Sequence, residues 1–531
     1  MNKKRVYLLV FVSALLAFLF SLKQVVTQIS PTNGIPPRTR ELAKRILQSP
    51  MAKYLSGSGL NALNLVSGRV SAPQKFKPGK PARALPFQSN RFQLMVNDPS
   101  LDLFSDLDIT SQSETAVAAN GSNVVVAYNN SRALFFASNS GMGYSRSADG
   151  GVTFTDLGLL TGPTFGFNFG DPALVADRSG NFYAAELSLD FTLPLELQNT
   201  IGISKSTDGG ITFGTPVYPA QTFVPGIEHF GDKDLLAVDN TGGPHNGNLY
   251  VSWTDFTFDF NNFTFAAPIV VSRSTDGGTT FSTPVQLSPP EDTVSGAEPA
   301  VGPGGEVYVT WFRFSPPTIF VAKSTDGGVS FGAPVLVASL TPIGFLGGQL
   351  LGNFRVNSFP RIDVDPGSGT PYIVYAANSP GTDGADVYLT RSANGGATWS
   401  NPIRVNHDPG TNDQFFPDIA VNRQGIIEAI WYDRRLDPSN LRIDVFKAQS
   451  LDGGLSFGPN HRLTLTSFLP AVGYDPLLNP VYMGDYIDIK ADTTSDGTGF
   501  NFFLAWGDCR RIITTPQGTR PDQDVFFTVD H

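Results

Sequence analysis

Ser147-Ala148-Asp149-Gly150-Gly151-Val152-Thr153-Phe154 is an eight-residue phrase that returns five more times along the chain. The copies are Ser206–Phe213 around Asp208, Ser274–Phe281 around Asp276, Ser324–Phe331 around Asp326, Ser392–Trp399 around Asn394, and Ser450–Phe457 around Asp452. They stand roughly 50–70 residues apart, a period that belongs to propeller blades. The chemistry of the phrase is that of a hairpin turn. An Asp or Asn side chain accepts backbone N–H groups of the turn. Gly-Gly supplies positive φ where a Cβ would clash. The Ser or Thr hydroxyl joins the same network, and the closing Phe or Trp packs beneath it as a wedge. These six acidic or amide residues are therefore fold residues, not catalysts.

Outward from each octad lie three short apolar runs that read as strands. The innermost are expected at Thr115–Ala119, Ala173–Ala176, Leu235–Val238, Pro299–Val301, Arg361–Val364, Asp418–Val421 and Tyr486–Ile489. Second strands follow, from Val124–Tyr128 in the first repeat to Phe502–Trp506 in the seventh. The seventh repeat stops at its third strand, Asp524–Val529, and has no octad. Phe92–Val96 has the character of the missing fourth strand. Its Val96-Asn97-Asp98 echoes Val405-Asn406-His407-Asp408, which closes the fifth repeat. The expectation is an all-β propeller of seven four-stranded blades, closed by an N-terminal strand that removes exposed sheet edges.

Composition sets the frame. The 531 residues are 41% hydrophobic and 11% aromatic, enough for a large core, and 54 Gly with 40 Pro suit many turns. A net charge of -10 argues against a nucleic-acid partner, which needs a basic face. One cysteine, Cys509, excludes an internal disulfide and any multi-cysteine metal site. Lys3, Lys4 and Arg5 precede an apolar run to Leu22, so residues 1–28 are expected to be a signal peptide or an N-terminal membrane anchor. The rest would then be extracytoplasmic, secreted or anchored by that segment. Residues 29–88 read as a polar linker with one short helix over Thr39–Ser49, its Leu42, Ile46 and Leu47 on one face. Residues 89–531 form the propeller.

Strand alternation puts the octads on one face of the disc and the functional rim on the other. Strand-one starts bring Glu114, Asp171, Asp232, Asp234, Glu298, Arg361, Asp413 and Asp485 to that rim. Strand-two ends bring Asp255, Arg313, Asp433, Arg434, Arg435, Asp508, Arg510 and Arg511. Arginine forks suit a carboxylate ligand. The competing reading is that these groups pair among themselves and hold the blades. Trp431-Tyr-Asp433-Arg434-Arg435 with Trp506-Gly-Asp508-Cys-Arg510 is the tightest cluster. Phe165, Phe167 and Phe169, and Phe256, Phe258, Phe260, Phe263 and Phe265, crowd two rim loops. They would either stack on sugar faces or fold over the tunnel. Trp253, Trp311, Trp431 and Trp506 lie within strands and read as wedges between blades.

The six octads resemble the Asp-box repeats of the sialidase superfamily, over about 440 residues. That resemblance implies the propeller, and it brings in a six-bladed ring, as in true sialidases, as the alternative. It also implies a Tyr nucleophile with a Glu partner, an Asp acid/base and three arginines on a substrate carboxylate. Tyr486, Glu298 (or Glu114) and Asp485 are the catalytic candidates on this basis, and Arg361, Arg435 and Arg510 the clamp. Arg434, Asp433 and Asp508 join them as ligand-binding candidates. The family's Arg-Ile-Pro motif is absent; Phe359-Pro-Arg361-Ile-Asp has Pro before Arg and falls in the fifth repeat. Three functions follow: an exported propeller binding glycan or protein ligands at the rim, an exo-sialidase-like glycoside hydrolase, or a non-catalytic envelope scaffold. No cofactor is expected, although an acidic loop could take calcium with no ligand set assigned. The chain is expected to be a monomer whose partner is a glycan or cell-surface ligand, and to meet membrane only through its N-terminal segment.

Overall fold

The computed structural model describes residues 37–68, 93–99, 103–104, 107–108, 110–131, 139–190, 199–220, 226–344, 350–378, 384–475, 478–492, 501–515 and 518–531. The leader expected over residues 1–28 lies outside them. Seven four-stranded antiparallel blades form a ring. Their innermost strands are Gln112–Asn120, Gly166–Ala176, Ile227–Val238, Val294–Val301, Arg361–Val364, Gln414–Val421 and Asp488–Ala491. Six of them contain the expected run, and the seventh begins two residues later than Tyr486. The fourth strand of blade 2 is reduced to a single bridge between Ile203 and Val217.

The octads form the predicted turns and also join the blades. In the third copy Asp276 Oδ1 accepts Thr279 N and Thr280 N at 3.0 and 2.9 Å, and Ser274 Oγ donates to it at 2.8 Å. The second glycine then lies on a tyrosine of the preceding blade. A Cβ on Gly278 would stand 3.2 Å from a Tyr183 ring carbon, and one on Gly328 2.8 Å from Tyr250. A basic residue on the third strand of the preceding blade caps the first glycine's carbonyl. Lys205 Nζ reaches Gly277 O at 2.9 Å, Arg273 Nη1 reaches Gly327 O at 3.1 Å, and Arg391 Nη1 reaches Gly453 O at 2.8 Å. Each of these octads is thus a latch between neighbours.

Blade 7 carries no octad and is held differently. Leu94–Met95 adds as its fourth strand, with Leu94 opposite Phe527 and Met95 opposite Phe526. Asn97 Oδ1 accepts Val525 N at 2.9 Å, as Asn406 Oδ1 accepts Val387 N at 2.9 Å in blade 5. The sequence echo therefore marks a shared strand-closing device. Between blades 6 and 7, Glu428 stands where four other junctions have Tyr183, Tyr250, Tyr308 and Tyr372, and Lys447 pairs with Glu428 (2.6 Å) and with Asp530.

The innermost strands leave inward N–H groups without a sheet partner, which must be satisfied elsewhere. Carboxylates of adjacent blades take them. Glu298 accepts Ile362 N at 2.8 Å, Asp363 accepts Val421 N at 2.7 Å, Asp418 accepts Ile489 N at 3.2 Å, and Asp488 accepts Val117 N at 2.7 Å. Near the other end of these strands, five blades carry a residue at positive φ: Glu114 (50°), Asp171 (56°), Lys233 (57°), Gly296 (71°) and Phe416 (49°). Pairing slips at this point in all five, so the chain bulges there.

Within the stretch read as a linker, residues 37–68 carry two α-helices and pack on the ring. Helix α1 is Pro37–Gln48, matching the expected helix and burying Leu42, Ala43 and Ile46. Helix α2 is Gly57–Ser67, which the sequence reading does not anticipate. Met51, Leu55, Ala62, Leu63 and Val66 share one apolar core with Phe167, Phe169, Phe230 and Trp253 of blades 2 and 3.

Candidate functional site at the rim end of the channel

The turn entering α2 sits over the centre of the ring, on the face opposite the octads. Ser56 donates through both its N and its Oγ to the Asp232 carboxylate. Gly57 N donates to Asp485 Oδ2 at 3.2 Å, and Ser58 Oγ to Glu114 Oε2 at 3.1 Å. Arg355 ties this turn down: its Nε meets Asp485 Oδ1 at 2.8 Å and its Nη1 donates to Leu55 O at 2.8 Å. No side chain fits at Gly57, where a Cβ would lie 2.0 Å from a Tyr482 ring carbon. The turn therefore occupies the space that a ligand of these central carboxylates would need.

The carboxylates beneath it are buried and crowded, which disfavours their charged forms. Burial pushes Asp232 up to about 7, helped by Asp171 and opposed by the Ser56 donors. Burial, then the charge of Asp171, raises Glu114 well above the ordinary carboxylate range. Asp234 and Glu186 are raised by burial too.

Tyr486 and Asp485 lie in this layer and Glu298 deeper in the channel, and each points to its own partner. Tyr486 is buried; its hydroxyl donates to Pro172 O at 3.0 Å, and the Lys233 ammonium lies 3.2 Å from its ring centre. Burial and the nearby Glu114 and Asp171 hold that phenol protonated. Asp485 is committed to Arg355 and Gly57. Glu298 accepts the Ile362 amide and lies 3.5 Å from Arg361 Nη1. Arg361 is buried between Glu298 and Asp418 and lies 5.1 Å from the Tyr486 ring centre.

The remaining arginines do not join Arg361. Arg435 binds back onto Asp433, with Nε at 2.9 Å and Nη2 at 2.6 Å, while Trp431 Nε1 takes the same carboxylate at 2.7 Å. Blade 7 repeats the module: Arg510 Nε meets Asp508 at 2.9 Å and Trp506 Nε1 meets it at 3.0 Å. Each guanidinium also covers a ring of its own blade, Arg435 over Phe446 at 4.4 Å and Arg510 over Phe526 at 4.2 Å. Arg434 is fully buried against Phe354 and Phe415, 3.4 Å from Asp413. Its pKa is lowered to about 10 by burial, against the pull of Asp413. The Trp-x-Asp-x-Arg repeat is thus a self-closed clip, which ends the second strand of blade 6 and sits at a bulge within that of blade 7.

The aromatic rim loops divide. Phe167, Phe169, Phe256 and Phe258 are buried, and Phe260 lies under the Arg45 guanidinium at 4.0 Å. Phe165 (64% exposed) and Phe263 (76%) face solvent on the same side of the ring, with Phe265 partly exposed beside them. The four strand tryptophans are buried. Among the described residues no group of three His, Cys, Asp or Glu side chains is placed to hold a metal ion. Sequence reasoning missed Arg355, Tyr482 and the Ser56-Gly57-Ser58 turn. Their one signal is a small-residue run, Ser56 to Gly59, wedged between apolar stretches.

No family model and no curated protein matches the chain. Among solved structures, a protein of unknown function from Dyadobacter fermentans aligns at 17% identity over 71% of this chain and 97% of that one, with a TM-score of 0.41. An ulvan lyase aligns at 11% over 75% and 91%, with a TM-score of 0.46. The α-L-arabinofuranosidase of Fusarium graminearum aligns at 14% over 65% and 93%, with a TM-score of 0.42. Values this low carry no argument about activity, and the propeller stands on its own strand pairing.

Proposed function

We propose that this chain is an exported recognition propeller that binds glycan or other cell-surface ligands at the rim opposite the octads, without cleaving them. One observation carries the reading: each group a sialidase-type mechanism would use is already committed to a separate partner inside the channel. A nucleophile and its base must share a hydrogen bond and face substrate. Here the Tyr486 hydroxyl serves Pro172 O, Asp485 serves Arg355, and Arg361 is shared between Glu298 and Asp418. Exposed Phe165 and Phe263 remain as the rim surface onto which a sugar face could stack.

The test uses the full chain in two assays. We expect no fluorophore release from a panel of aryl glycosides, α-sialosides included. We expect binding on a glycan array that Phe263→Ala weakens by about tenfold, the equivalent of about 1.4 kcal/mol. Turnover lost in Tyr486→Phe would replace this reading with the hydrolase. Neither turnover nor binding would leave the scaffold.

A further inference from the structure

The other end of the channel is open. A well of about 490 Å³ lies inside the ring, lined by all seven innermost strands and by the turns that follow them. Those turns share the octad face, so the well opens there. The Ser56–Ser58 turn closes the opposite end. Its volume is within the roughly 300–1,000 Å³ of small-molecule sites.

The lining is divided. Above their turns, blades 1 to 3 contribute only alkyl side chains, Ala118, Val175 and Ala237 among them. Blades 4, 5 and 7 add Glu298, Asp363 and Lys490 on the other side. At the mouth stand Arg178, Arg423 and Asp492. Three carboxylates thus balance three cations. Lys490 Nζ already has Asp488 at 3.1 Å, and Glu298 already has Arg361 at 3.5 Å. A charged ligand that paired with Lys490 or Glu298 in place of these partners would leave Asp488 or Arg361 buried and short of a partner, which is costly. Neutral hydroxyls can instead use the spare lone pairs of the carboxylates and the spare hydrogens of the ammonium. The alkyl wall suits the C–H face of a sugar ring.

We propose that this well is a binding site for a neutral mono- or disaccharide, entered from the octad face and separate from the rim surface. The geometry behind it is a blind, half-alkyl, charge-balanced cavity, and it does not depend on the rim reading. The experiment is calorimetric titration of the full chain with glucose, galactose and maltose, and with putrescine as a cationic control. We expect at least one sugar to bind and putrescine not to. Ala237→Leu and Ala118→Leu, which fill the well from its alkyl side, should each weaken that sugar at least tenfold. Lys490→Met should do the same by removing a donor. Phe263→Ala should leave it unchanged, which separates this site from the rim. Melting temperatures would identify any variant that fails to fold, and the remaining two would then decide. The proposal is overturned if no sugar binds, if putrescine binds in preference, or if folded well-filling variants bind as the parent does.

Discussion

The two faces of this ring use the same residue type in opposite ways. On the octad face, aspartates stand in water and gather donors: Asp208 and Asp276 are each lowered to about 2, Asp276 chiefly through the Thr280 hydroxyl. At the rim end, carboxylates are enclosed under α2, and burial raises Asp232 to about 7. The first arrangement favours the charged form and stiffens a turn. The second holds carboxyl groups against their preference and depends on the Ser56–Ser58 turn and Arg355 for compensation. A carboxylate in a propeller is therefore identified by the donors around it and by its depth, not by its place in a repeat.

That contrast can be broken at the rim with the largest effect. Arg355→Ala removes the partner of Asp485 and the donor to Leu55 O together. We expect a loss of about 3–5 kcal/mol, as for a buried ion pair deprived of one member, read by urea denaturation. On the octad face the corresponding change is Gly328→Ala. It adds a Cβ at φ +77° and 2.8 Å from the Tyr250 ring. We expect about 2–3 kcal/mol, from left-handed strain plus the clash. A loss below about 0.5 kcal/mol would mean that the octad does not latch the blades.

The third prediction concerns sign. Asp232 titrates near 7 in the fold against 3.8 as the ordinary value, so the folded state holds its proton longer. Its contribution to stability is fully present below about pH 4 and is lost as pH rises through about 7. Asp276, near 2 in the fold, behaves oppositely: its contribution is present above about pH 4 and is lost as pH falls toward 2. Denaturation at a series of pH values should show stability declining from pH 5 to 8 in the parent. Asp232→Asn should flatten that decline and leave the acid limb unchanged. An equal decline in Asp232→Asn would remove Asp232 from the explanation.

The ring was legible because its signals are local and repeated. Each octad encodes its own turn, and Asn97 could be matched to Asn406 because both close a strand with the same side-chain bond. Blade 7 was harder. Its Tyr486-Ile-Asp-Ile alternates as a strand does, yet pairing begins only at Asp488, because Tyr486 turns inward under Lys233. Helix α2 was not legible: Gly57, Ser58 and Gly59 are turn formers, and what holds Gly57 and Ser58 is a pair of carboxylates remote in sequence, Asp485 and Glu114. The arginines show the same limit. Arg435 and Arg510 read as ligand forks in the sequence, and only the fold places Asp433 and Asp508 inside their grip.

The account rests most heavily on the turn that seals the rim end of the channel. Amide hydrogen exchange at Ser56, Gly57 and Gly59, compared with Val117 and Ile489 of the inner strands, tests it directly. The account predicts protection of the same order at both sets, since the Ser56, Gly57 and Gly59 amides have buried partners. Exchange at the turn as fast as in an open loop would contradict it. The carboxylates, Tyr486 and Arg361 would then be within reach of a substrate.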